Sequence, residues 1–214
     1  MSIDHLLGKV HNCDCLDFMR KLPDKCVDLV LTDPPYGINA DEEANKAAMA
    51  RIKADGNSKA GRGWKLYENY GWDSKRPDYQ VFEQIQRISK NSIIWGGNYF
   101  ADMLPATMGW MVWDKGQRDF SLADGELAWT SFDKALRIFS YSRGAALQDG
   151  KQHPTQKPEA LMRWCLNERS EDGFIVFDPF MGSGTTAVAC ERLGRKWFGC
   201  ELEPKYVEIA NKRI

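Results

Sequence analysis

The chain has 214 residues, 43% of them hydrophobic and 12% aromatic, with a formal net charge of −1. That size and apolar content support one large core and exclude an extended disordered protein, while a charge near zero is not the footprint of a strongly basic nucleic-acid-binding domain. No apolar run approaches the roughly 18 residues of a membrane span, and the opening MSIDHLLGKV has no charged-then-apolar leader, so a soluble intracellular protein is expected.

Near the start, His11, Cys13 and Cys15 alternate, but alternate residues on one strand do not complete a tetrahedral shell without distant partners, and no metal is expected. The other cysteines, Cys26, Cys165, Cys190 and Cys200, show no CxxC spacing, so reduced thiols are expected throughout. A helix is expected near Asp14 to Lys21, followed by a strand over Cys26 to Leu31 whose apolar run suits burial on both faces. Asp33, Pro34, Pro35 and Tyr36 stop that strand: Asp33 precedes a proline and is kept out of the helical region, and Pro34 has no N–H for the ladder. The result is a stiff corner carrying one carboxylate and one aromatic ring.

A long insertion, 38–77, comes next, with helical character only over Glu42 to Lys53. Between Lys46 and Arg76 it holds eight basic residues (Lys46, Arg51, Lys53, Lys59, Arg62, Lys65, Lys75, Arg76) against Asp55, Glu68 and Asp73, interleaved with Trp64, Tyr67, Tyr70 and Trp72. Basic side chains among aromatics suit phosphates and unstacked bases, although a solvated mobile loop has the same composition. Val81, Phe82, Ile85 and Ile88 then recur at helical spacing, and Ile93 to Trp95 form a strand ending in Gly96 and Gly97. Gly109 to Trp113, Glu126 to Thr130 and Leu136 to Phe139 are expected as strands in antiparallel hairpins at one sheet edge, and Ser140 to Gln152 as loop.

Pro158 opens a helix through Arg169, with Leu161, Cys165 and Leu166 on its buried stripe. A strand over Phe174 to Phe177, a helix over Thr185 to Leu193 closed by Gly194, a strand over Lys196 to Cys200 and a last helix from Pro204 complete the chain. Two βαβ halves argue for a single doubly wound α/β sheet. Between that strand and helix, Gly182 and Gly184 allow close backbone approach to a ligand, and Glu201 ends the following strand, 19 residues after Gly182, where a carboxylate can take ribose hydroxyls. The pattern departs from a dinucleotide site: Ala187 stands where the third glycine belongs, and Asp178 precedes the turn. A carboxylate there repels a pyrophosphate and favours a cofactor that is cationic at that end, such as an aminoacyl sulfonium. No Gly-Lys-Ser/Thr follows the glycines, so a Walker loop is not indicated.

DPPYG at Asp33 to Gly37 and DPFMGSGTT at Asp178 to Thr186 together resemble the amino-methyltransferases that act on exocyclic nitrogens of DNA bases. The order of the motifs is similar to the β group of that family. HPTQKPEAL at His153 to Leu161 resembles its lysine-bearing segment, NSIIWGGNYF at Asn91 to Phe100 its following strand, and HNCDCLDFM its N-terminal segment, with Asn12 where glycine is usual. The resemblance implies a seven-stranded, mostly parallel sheet of the S-adenosylmethionine-dependent type, with both motifs at the carboxyl ends of neighbouring central strands.

By position, the resemblance implies that Pro179, Phe180, Gly182, Ser183, Gly184 and Thr185 line the cofactor, that Asp178 faces its methionine ammonium and that Glu201 holds its ribose. Asp14 would accept from its adenine amino group with Cys15 alongside, and Thr155 and Lys157 would meet its carboxylate. Asp33 and the Pro34 carbonyl would accept from the amine of a flipped base, and Tyr36 would stack on it. No metal or covalent nucleophile is called for. Asp at the first position resembles adenine-N6 enzymes, with cytosine-N4 as the competitor. DNA is the implied partner, a homodimer is suggested, and a prokaryotic or phage-encoded cytoplasmic enzyme is expected. Little length separates Phe139 from His153, so the 38–77 insertion is expected to close over DNA and supply part of the recognition. Two other classes, a nicotinamide-dependent oxidoreductase and a catalytically silent DNA-binding relative, leave respectively the DPPY corner and the full set of key residues unexplained.

Overall fold

The computed structural model describes residues 2–39, 71, 73–118, 123–142, 144–145 and 156–214. The expected helix at Glu42 to Lys53, most of the basic and aromatic residues of the insertion, and Thr155 lie outside the described residues. The chain divides into two units, Met1–Pro34 with Asp78–Ile214, and Pro35–Pro77.

In the first unit, the apolar run Val27, Leu29, Val30 and Leu31 is wholly excluded from solvent because it forms the central strand β2, Val27–Thr32. It is flanked by parallel neighbours, β3 (Ser89–Trp95) and β7 (Ile175–Asp178). Asp14 accepts from Asp17 N and thereby starts a short helix α1, Cys15–Met19. Asp78 does the same from Gln80 N for α2, Tyr79–Ile88, which buries the expected stripe Val81, Phe82, Ile85 and Ile88.

Strand β3 begins four residues before the apolar run that announced it. Ser89 and Ser92 extend the ladder into a polar stretch, because the Ser89 hydroxyl donates to Ile85 O and bonds the Ser92 hydroxyl at 3.0 Å. Strands β4 (Met111–Asp114), β5 (Gly125–Thr130) and β6 (Arg137–Ser140) fall where expected. Their pairing differs in one respect: β5 is antiparallel to β3 and β4, but β4 and β6 run parallel, so β6 is not the arm of a hairpin.

The second βαβ half has the expected parts. Pro158 precedes α3 (Glu159–Arg169), Gly184 in the left-handed conformation precedes α4 (Thr185–Arg192), and β8 (Lys196–Glu201) leads to α5 (Pro204–Arg213). The sheet has eight strands in the order β1-β8-β7-β2-β3-β5-β4-β6, one more than expected. The extra strand, β1 (Val10–Asn12), pairs in parallel with β8 and is too short to show periodicity.

Strand order reverses between β7 and β2: the chain leaves β7 for β8 on one side and β2 for β3 on the other. Ligands of doubly wound sheets bind outside the carboxyl ends of the strands at such a reversal. Both sequence motifs begin there.

Candidate active site

Strand β2 delivers Thr32 and then Asp33 to this point, and β7 delivers Asp178. Thr32 Oγ1 donates to Asp178 Oδ1 at 2.7 Å, Thr186 Oγ1 donates to Oδ2 at 2.6 Å, and Phe180 N donates to Oδ1 at 3.0 Å. Every described donor to this buried carboxylate is neutral. Burial pushes the Asp178 carboxyl up to about 6, the three hydrogen bonds hold it down in part, and the negative charge of Asp33 adds to the rise. A cation beside it would release that cost.

Glu201 closes the neighbouring corner. Its Oε2 accepts from Gly182 N at 2.7 Å and its Oε1 from Glu203 N at 2.9 Å, and burial raises its carboxyl against these bonds. Gly182 has φ +53°, and a Cβ built there would have only Phe180 O within 4 Å, at 4.0 Å, so the glycine leaves a face of the turn open to a ligand. Gly184 is a packing glycine as well: at φ +84° its Cβ would stand 2.9 Å from the Ala210 Cβ. Ser183 and Thr185 face the last helix, where Arg213 donates to Ser183 Oγ at 2.9 Å and reaches Thr185 Oγ1 at 3.4 Å. Ser183 Oγ also donates to Gln156 Oε1 at 3.2 Å. Pro179 is buried and Phe180 half-buried.

Asp14 stands at the carboxyl end of β1, where it caps α1, and Cys15 behind it is buried. Burial, then the Asp14 charge, pushes the Cys15 thiol up to about 12, so it is a packing group and not a nucleophile. Asn12, where the resemblance has glycine, donates to Glu201 O at 2.9 Å and Leu202 O at 2.8 Å, tying the ends of β1 and β8 together. Asp14, Asp178 and Glu201 thus follow or end three adjacent parallel strands. Carboxylates in that arrangement suit a ligand with an ammonium and several hydroxyls, and oppose a polyphosphate.

Lys157 does not stand alone as a surface lysine. It is 6% exposed and its Nζ donates to Asp33 Oδ2 at 2.7 Å, with Glu126 Oε2 at 3.1 Å. Pro34 is buried and Pro35 half-buried. The proposed catalytic run crosses the boundary between units, with Asp33 and Pro34 in the first and Pro35 and Tyr36 in the second. Within the second unit, Asp73 Oδ1 accepts from Tyr36 N at 2.6 Å and from Gly37 N at 2.9 Å, and Asp73 O accepts from Asn39 N. Asp73 therefore clamps the turn that carries Tyr36. Gly37 has φ +72°, and a Cβ there would be 2.9 Å from Arg76 N.

Several residues of the site, Thr32, Thr186, Glu126, Asp73, Gln156 and Arg213 among them, carried no role in the sequence. Thr32 precedes one motif and Thr186 ends the other, so both had a positional signal; Glu126 and Asp73 had none beyond their charge. Among the described residues there is no group of three or more His, Cys, Asp or Glu arranged for a metal ion.

A family model described as "DNA methylase" matches residues 64–212. The chain is 26% identical to the type II methyltransferase M2.DpnII of Streptococcus pneumoniae, over 96% of this chain and 88% of that protein. It is 24% identical to the type II methyltransferase M.HinfI of Haemophilus influenzae, over 100% of this chain and 70% of that protein. Among solved structures, the M1.HpyAVI–SAM complex is similar with a TM-score of 0.59 at 21% identity, covering 96% of this chain and 98% of the other. The cytosine-N4-specific PvuII DNA methyltransferase is similar with a TM-score of 0.60 at 18% identity, covering 97% and 90%.

Proposed function

The chain belongs to the DNA methylase family of N6/N4 methyltransferases, and from that membership we propose that it transfers a methyl group from S-adenosylmethionine to the exocyclic N6 of a flipped adenine in DNA. The observation that carries this reading is the Thr32–Asp178 hydrogen bond, which joins the residue before the DPPY corner to the carboxylate that opens the glycine turn. Two solved structures of similar fold, M1.HpyAVI and TTHA0409 of Thermus thermophilus, are complexes with S-adenosylmethionine, which supports the reading.

The residues present fit that cofactor. Gly182 leaves its backbone open, Glu201 offers a carboxylate beside it, and Asp178 is a buried anion with no described cationic partner. In this reading Asp178 faces the methionine ammonium, Glu201 the ribose hydroxyls and Asp14 the adenine amine, while Phe180, Pro179, Gly182, Ser183, Gly184 and Thr185 form the wall. When bound, the sulfonium supplies an activated methyl and a neutral leaving group.

The exocyclic amine of adenine is a poor nucleophile because its lone pair is delocalised into the ring. Asp33 and the Pro34 carbonyl accept its two hydrogens and draw the nitrogen toward a tetrahedral form. Acceptors fixed in advance stabilise the positive charge that develops on nitrogen without reorganising at that moment. Tyr36 supplies the stacking face that replaces the helix stack. The 38–77 insertion closes over DNA and contributes recognition. Bacterial relatives of restriction–modification type support a bacterial or phage setting, and a homodimer remains part of the proposal.

Digestion of DNA methylated by the purified chain, followed by chromatography of its nucleosides, tests the reading. N6-methyladenine is expected. N4-methylcytosine as the product would overturn the adenine assignment and leave the family assignment intact.

A further inference from the structure

Glu126 lies on β5, outside every motif described above, yet its carboxylate is enclosed between two lysines. Lys115 Nζ is 2.6 Å from Oε1 and Lys157 Nζ is 3.1 Å from Oε2. Lys157 in turn donates to Asp33 Oδ2 at 2.7 Å. The four side chains form a row of alternating charge, Lys115, Glu126, Lys157 and Asp33, whose sum is zero. Three of its members come from different strand ends, after β4, on β5 and after β2.

An ammonium as deeply placed as that of Lys157 is costly to bury unless paired. Asp33 alone would pair it, but the pair would then be closed: a full positive charge committed to Asp33 would cancel the negative charge with which that carboxylate is to meet a developing cation. Glu126 changes the balance. Burial pushes the Glu126 carboxyl up, but the Lys157 and Lys115 charges more than offset this and leave it at about 2, so it stays ionised at neutral pH. Lys157 thus has a carboxylate on either side: Asp33 accepts its hydrogen bond, while Glu126 Oε2, buried and without a hydrogen-bond partner among the described residues, faces it as a charge. Its neighbour Gln156 accepts from Ser183 Oγ at 3.2 Å, so the segment carrying Lys157 borders the glycine turn as well as Asp33.

We propose that Glu126 is a positioning residue for methyl transfer, holding the Lys157 ammonium so that one cation serves both the Asp33 carboxylate and the carboxylate of the methyl donor. This rests on the methyl-transfer reading above. The charged groups that face Lys157 include Asp33 and Glu126, with Lys115 acting through Glu126 and Asp178 lying beside Asp33 across the β2–β7 pair.

Two variants give opposite expectations for the free protein. Glu126→Gln removes one of the carboxylates that face the buried ammonium, so the Lys157 titration midpoint, read by carbon NMR of its Cε, falls by about one unit. Lys115→Met frees Glu126 to serve Lys157 alone, so the midpoint stays or rises. Glu126→Asp keeps the charge and restores most of the wild-type midpoint. Calorimetric titration with S-adenosylmethionine is the second readout: Glu126→Gln matches wild type near pH 6 and loses affinity relative to wild type as pH rises through its lowered Lys157 midpoint. An unmoved Lys157 midpoint in folded Glu126→Gln, a fall in Lys115→Met, or a binding loss independent of pH overturns the proposal. If Glu126→Gln does not fold, Lys115→Met decides by its sign. Failure of the wild-type chain to bind the donor would defeat the methyl-transfer reading instead, and the Lys157 midpoints would still report whether Glu126 controls that charge.

Discussion

Thr32 Oγ1 donates to Asp178 Oδ1 at 2.7 Å, joining residues 146 apart in sequence at the point where the strand order of the sheet reverses. Neither residue is appreciably exposed. The bond has two effects: it aligns the ends of β2 and β7, and it supplies one of only three described donors to a buried carboxylate. Those donors are neutral, and they leave Asp178 raised to about 6. Such a group is ready for a cation and costly without one.

Replacing Thr32 by valine keeps the shape and removes the donor. Oδ1 of Asp178 then retains only Phe180 N among its described partners. A buried acceptor that loses a partner costs about 1–3 kcal/mol, so Thr32→Val is expected to unfold at lower urea concentration by that amount at neutral pH. A midpoint equal to wild type, with an unchanged slope, would show that the bond contributes nothing.

Asp178 also sets a pH dependence. Its carboxyl ordinarily titrates at 3.8 and in the folded protein at about 6, so the folded state holds the proton longer than the unfolded one. Stability from this group is therefore greatest below pH 4, declines as pH rises from about 4 to 6, and is level above. Asp178→Asn removes the decline. At pH 8 the variant is expected to be more stable than wild type by on the order of 2 kcal/mol, while losing most of its affinity for S-adenosylmethionine. Urea titrations across pH check the first claim and calorimetry the second; equal pH slopes in the two proteins would refute the assignment.

The sequence made the two motifs visible for a physical reason: Asp-Pro-Pro and Gly-x-Gly restrict or free the backbone locally, and such constraints are written in adjacent letters. All the expected strands exist for the same reason, since apolar period is local. The partners of Asp178 and Asp33 were not visible in this way. Thr32 reaches Asp178, and Lys157 reaches both Asp33 and Glu126, only because the sheet brings distant strand ends together. Asp73 counted in the sequence as one acid in a basic insertion; its bonds to Tyr36 N and Gly37 N, made across 37 and 36 residues, depend on the fold of that unit. The serines that begin β3 escaped notice because their hydroxyls are satisfied by each other and by Ile85 O, an arrangement no period records.

Asp33→Ala separates binding from chemistry. Asp33 follows β2 and bonds Lys157, which keeps Glu126 as a facing carboxylate when Asp33 is removed and so stays charged at neutral pH. Donor affinity is expected to stay within a few-fold of wild type, whereas transfer of tritiated methyl to DNA falls by at least about a hundredfold, the usual scale for one lost electrostatic stabiliser. Undiminished transfer would remove Asp33 from the mechanism.

Asp73→Ala acts on the second unit. Two backbone N–H groups lose a charged acceptor, worth about 1.5–3 kcal/mol each at most, and the turn at Tyr36 and Gly37 loosens. The expected result is a higher KM for DNA and a lower kcat, with donor affinity unchanged, because the bonds removed are those that hold the turn carrying Tyr36. Loss of donor binding in this variant would contradict that separation. Asp73→Asn, which keeps one acceptor oxygen, should recover part of the activity.

The insertion offers a test that depends on charge alone. Lys46, Arg51, Lys53 and Lys59 belong to a stretch whose basic residues outnumber its acids, in a chain whose overall charge gives no general attraction to DNA. If these side chains meet phosphates, each contact releases condensed counterions and adds about 0.9 to the slope of log affinity against log salt. Changing all four to glutamine should weaken DNA binding most at low salt, where the released ions matter most, and should flatten the slope by as many such steps as there are contacts. Donor affinity should not change, and neither should the identity of the methylated base, since phosphate contacts position the duplex and do not read it. Fluorescence anisotropy with labelled duplex at several salt concentrations gives both quantities. A slope equal to wild type would show that the insertion's cations face water, and DNA recognition would then have to come from the first unit.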